Sequence, residues 1–106
     1  MKALLVIALI LLALPWSVLL LNRGEAAEVC IWFYEMIARK QAPVVETPFT
    51  DIADSPFRLE IQKMYALHMT MGTTLTTYSP DARLELYQAL IFAGKTLLRI
   101  KEAVHG

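Results

Sequence analysis

The sequence predicts an all-α chain: one N-terminal transmembrane helix, then a small domain of about three helices that includes an antiparallel helical hairpin. Three observations predict it. An uncharged apolar run extends from Ala3 to Leu21, interrupted only by Pro15 and Ser17. A short aromatic stretch follows, with Glu25 and Glu28 ahead of it and Arg39-Lys40 behind it. Two Ser-Pro pairs, Ser55-Pro56 and Ser79-Pro80, each precede apolar residues that recur in steps of three and four.

Residues 1–22 form the expected anchor. Nineteen residues at a helical rise of ~1.5 Å span roughly 28 Å, the hydrocarbon thickness of a bilayer. Leu, Ile and Val dominate the run, and each favours insertion. Pro15 removes a backbone donor and predicts a kink. Trp16 beside it lies too deep for an interfacial anchor and is a candidate for packing against another helix. A cleaved secretory signal is the alternative, since Met1-Lys2 heads the run. Signal cores, however, run to roughly 7–15 apolar residues before a small-x-small site. Gly24-Glu25-Ala26 is a poor site, and Ala-Glu-Val before Cys30 departs from the pattern expected ahead of a lipidated cysteine. Arg23, Arg39 and Lys40 count toward a cytoplasmic C-terminal part, whereas a short Lys-headed N-terminus is typical of a signal-anchor. The expectation is a single-pass membrane protein with its C-terminal domain on the exported side, periplasmic or extracellular.

Residues 23–40 read as an amphipathic juxtamembrane helix. Acids at its start and bases at its end complement the helix dipole, and Val29, Trp32, Phe33, Met36 and Ile37 fall at helical spacing. Residues 41–55 hold Pro43, Pro48 and several Thr and Asp, a composition that reads as an extended Pro-rich connection. Residues 56–106 are the expected hairpin. Each Ser-Pro offers a side-chain cap followed by proline at the first helical position. The first arm carries Phe57, Ile61, Met64, His68, Met71, Leu75 and Tyr78. The second carries Leu86, Leu90, Ala93, Leu97, Ile100 and Val104, its face widened by Leu84, Tyr87, Ile91 and Leu98. The weak point is Met69 to Tyr78, where Thr and Gly disfavour helix and fraying is expected after Met71.

Composition narrows function. Ten Lys and Arg balance ten Asp and Glu, so net charge implies no nucleic-acid partner. One cysteine, Cys30, excludes an internal disulfide and a cysteine-rich metal site. It is read as a buried inert thiol or, in an exported compartment, as a link between two chains. Ala89 to Thr96 satisfies a loose phosphate-loop pattern, but it lies inside a helical period and no preceding strand is available, so no nucleotide is expected. Met64, His68 and Met71 share one helical face, and thioether with imidazole suits copper(I) or haem iron. The simpler reading is a core seam with flexible Met as filler, so no metal or cofactor is expected. The paired carboxylates are explained by helix starts and turns, and no arrangement predicts an enzyme.

Trp32, Phe33 and Tyr34 surround a short helix with aromatics and are the expected partner-binding residues, together with Trp16. One anchor plus a compact helical domain resembles small accessory subunits of membrane complexes in general, by architecture alone. The expected function is therefore a non-catalytic interaction protein whose partners are membrane lipid and a larger membrane-protein complex. A small regulator or immunity-type protein that binds one target transiently is the second reading. A metal or haem binder through His68 and the neighbouring methionines is the third.

Overall fold

A computed structural model of the chain describes residues 21–105. Three helices are present among them: α1 (Arg23–Ala38), α2 (Arg58–Ala66) and α3 (Leu86–His105). Both α2 and α3 pack chiefly on α1, which is the centre of the arrangement.

Local chemistry sets where α1 starts and stops. The Asn22 side chain accepts from the Glu25 amide at 2.7 Å, and the Glu25 carboxylate accepts from the Asn22 amide at 3.0 Å, a complete capping box. The next two amides reach tertiary acceptors: Arg23 N–H donates to the Ala82 carbonyl and Gly24 N–H to the Pro80 carbonyl. These are amides that a helix start leaves without internal partners. A loop close in space to the helix start, though far along the chain, thus completes it. The helix ends where Arg39 adopts a left-handed conformation, φ 57°.

Small residues decide which side of α1 faces inward. Ala26, Ala27, Ile31 and Tyr34 are buried, while Val29, Trp32 and Met36 are exposed. The large apolar side chains expected on the inner face therefore lie mostly outside it. At Gly24 a Cβ would run into the Phe57 ring, so glycine permits close approach of the α2 entry.

The fold class expected from the sequence is corrected in two respects. Among the described residues, no helix is long and apolar enough to cross a membrane. α3 has the length, but Lys95, Arg99, Lys101 and Glu102 interrupt it. The apolar run itself, apart from Leu21, lies outside the described residues, as does Trp16. A transmembrane, signal-anchored, single-pass architecture is thus not what the described residues form. The accessory-subunit reading relied on an anchor that lies outside the described residues.

The second correction concerns the hairpin. The first expected arm stops at Ala66, well before Tyr78, and the second begins at Leu86 rather than at Pro80. Between them the chain forms an irregular, hydrogen-bonded connection. His68 and Ser79 take φ of 58° and 60°, and Gly72 takes 89°. Thr hydroxyls here bond locally instead of supporting a helix: Thr73 N–H and Oγ1 both reach the Thr77 carbonyl, and Thr74 Oγ1 accepts the Thr77 amide. The connection is tied down by Asp51, whose two carboxylate oxygens accept from the Tyr78 and Ser79 amides at 3.0 and 2.8 Å. The two arms share α1 as a common support and do not pair along their lengths. One link between them is Arg99 Nε, which donates to the Leu67 carbonyl at the end of α2.

The face expected to close the hairpin on α3 is turned part-way round the helix, with Ile100 kept inside and Ala93 and Leu97 left half-buried. Ala89, Phe92, Thr96 and Ile100 are buried, while Leu86, Leu90 and Val104 are exposed. α3 is apolar around much of its circumference, so periodicity permits more than one inner face.

Candidate functional site

The middle turns of α1 and the middle of α2 border a groove of about 530 Å³, lined by Glu28, Val29, Ile31, Trp32, Glu35, Glu60 and Lys63. Its construction follows from helical spacing. Glu28, Trp32 and Glu35 stand at steps of four and three on α1, and Glu60 and Lys63 at a step of three on α2, so each set shares a side.

An ion pair joins the two helices across it. Lys63 Nζ donates to Glu35 Oε2 at 2.7 Å, and the same oxygen accepts the Ala42 amide at 2.9 Å. One carboxylate therefore ties α1, the following loop and α2 together. Burial alone would push the Glu35 carboxyl upward. The hydrogen bond from Lys63, the Ala42 amide and the Lys63 charge outweigh it and hold the group below its usual value.

With Glu35 and Lys63 engaged by each other, Glu28 and Glu60 remain as the groove's other charged side chains. Glu60 Oε2 is buried and has no hydrogen-bond partner among the described residues, which leaves an acceptor lone pair unspent. Trp32 is 57 % exposed and meets Phe33 edge to face, with ring centroids 4.8 Å apart. The wall thus combines an open indole with carboxylates, a surface that attracts a cation both by charge and through the ring face.

The expected partner-binding residues separate. Trp32 lines the groove, whereas Phe33 and Tyr34 are 9 % and 3 % exposed and belong to the interior. The methionine–histidine set does not converge either. Met64 is fully buried, His68 is exposed with positive φ, and Met71 is 75 % exposed. Among the described residues no group of three or more His, Cys, Asp or Glu is placed to hold a metal ion. The phosphate-loop look-alike lies wholly within α3, with Ala89 and Thr96 buried.

Cys30 is half-buried, and burial pushes its thiol up to about 11. A thiol so shifted is protonated at neutral pH and a poor nucleophile.

Sequence reasoning missed Glu35, Glu60 and Lys63 as site residues. Glu35 and Lys63 are 28 positions apart, and no local pattern announces their pairing. Comparison with family models, with curated proteins and with solved structures finds no match.

Proposed function

We propose that the chain is a non-catalytic binding protein that uses the Trp32 groove to receive a basic side chain, Arg or Lys, presented by a partner polypeptide. The observation that carries this reading is an exposed indole sharing one groove with Glu28 and the unpartnered Glu60 carboxylate. A guanidinium is the better occupant, because it can stack on the ring while donating to a carboxylate. The reading covers a lasting constituent of a complex and a transient regulator alike. Those two differ in the lifetime of the bound state.

Titration of the full chain with an Arg-containing peptide, its Gln counterpart and an acidic peptide tests it. Binding is expected for the first alone, weakened by salt. Trp32→Ala and Glu60→Gln are each expected to reduce affinity by about tenfold or more. Equal binding of all three peptides, or wild-type affinity in both variants, overturns the proposal.

A further inference from the structure

The outward face of α3 is apolar. Leu86, Tyr87, Leu90, Ile91 and Leu98 are all exposed, and at 3.6 residues per turn they fall on one side of the helix around Gly94. Together they leave on the order of 500 Å² of apolar surface, a patch of the size that marks a contact and over half of what each partner gives to a standard interface.

Gly94 indicates what covers it. Glycine disfavours a helix interior, and a Cβ built at Gly94 would meet nothing within 4 Å. Nothing in the chain's own packing therefore requires glycine there, in contrast to Gly24, where the Phe57 ring fills the space. A notch at the centre of an apolar helix face suits close approach by a second backbone.

Part of the face is mirrored about that notch. Leu90 and Leu98 stand four positions before and after Gly94, and Tyr87 and Lys101 stand seven before and after. In two antiparallel copies of α3 crossing at Gly94, each Leu90 meets Leu98 of the second copy. Each Tyr87 ring likewise meets the Lys101 ammonium of the second copy, and each Leu86 stands opposite Glu102, which Arg99 of its own helix neutralises. Self-complementarity of this kind is what a two-fold contact requires.

We infer that two copies of this chain associate through α3, antiparallel, with the two-fold axis at Gly94.

Sedimentation equilibrium of the full chain tests this, with circular dichroism as the check on folding. Wild type is expected to dimerise. Gly94→Ala is expected to raise thermal stability in the monomeric range while weakening dimerisation by about tenfold. Leu90→Lys, at an exposed position, is expected to abolish dimerisation with its helix content intact. In a Cys30→Ser background, Gly94→Cys is expected to cross-link to itself under oxidation, whereas Leu90→Cys cross-links only when mixed with Leu98→Cys. A monomeric wild type, unchanged association in Gly94→Ala, or self-cross-linking of Leu90→Cys overturns the inference. So does a wild type that stays monomeric and takes up lipid vesicles or a different protein on this face.

Discussion

Arg23 and Tyr78 exchange hydrogen bonds: Arg23 Nε donates to the Tyr78 carbonyl and the Tyr78 hydroxyl donates to the Arg23 carbonyl, each at 2.7 Å. Both are almost fully buried, and the guanidinium lies 4.6 Å from the centre of the Tyr78 ring and 5.4 Å from that of Phe92. No carboxylate among the described residues pairs with this arginine. Backbone oxygen and two ring faces take that role, which fastens the start of α1 to the irregular connection and to α3. Burial raises the Tyr78 phenol well above its ordinary value, with the Arg23 charge opposing, so the hydroxyl stays a donor.

Tyr78→Phe keeps the ring and deletes one buried donor. The expected loss in urea unfolding is about 1–2 kcal/mol. Arg23→Lys keeps the charge but loses the guanidinium that lies over the Tyr78 and Phe92 rings, and a loss of about 1–2 kcal/mol is expected there too. Wild-type midpoints in both variants would remove this pair from the account of stability.

The two helical glycines should respond in opposite directions. Gly24→Ala drives a methyl into the Phe57 ring and is expected to destabilise by about 1–3 kcal/mol. Phe57→Leu should recover part of that loss. Gly94→Ala meets open space and is expected to stabilise the unassociated chain by about 0.5–1 kcal/mol. Thermal unfolding of the three variants at low concentration checks the signs.

Glu35 supplies an acid-sensitive contribution. Its native pKa lies below the ordinary value of 4.5, so the unfolded chain takes up a proton before the folded one does. Stability from this group is complete above the ordinary value and falls away as pH drops through the lowered native one. Glu35→Gln, which loses a charged hydrogen bond to Lys63, is expected to cost about 1–2 kcal/mol at neutral pH. It should also flatten the stability profile on the acid side. A parallel profile in the variant would refute the assignment.

Cys30 should alkylate slowly at neutral pH and faster as pH rises toward about 11. Reaction with iodoacetamide, followed by mass spectrometry, reads the rate. Rapid modification at neutral pH would show the thiol to be less enclosed.

Much of the helical content was legible in local sequence. Acids ahead of the aromatic stretch and bases after it placed α1 close to its observed limits, because caps and dipoles act within a single turn. Met69 to Tyr78 was visible as a weak segment for the same reason, although helix is lost earlier, at Ala66. The groove was legible only at Trp32. An exposed aromatic can be suspected from its neighbours, whereas Glu35 finding Lys63 depends on a chain reversal that carries no local signature.

Periodicity and turn formers by themselves determined that the described part of this chain is mostly helical, and capping residues placed the start of α1. By contrast, α2 follows a Phe57 N-cap without a side-chain cap, and α3 begins at Leu86 instead of Pro80. Which side of each helix turns inward was decided only by tertiary structure. On α1 Trp32, Val29 and Met36 turn outward while Ala26 and Ala27 pack inside beside Ile31, Phe33 and Tyr34, and on α3 an apolar circumference offered more than one inner face. Spacing along a helix specifies which residues share a side. The volume and polarity of what lies opposite specify which side is buried, and those come from residues dozens of positions away.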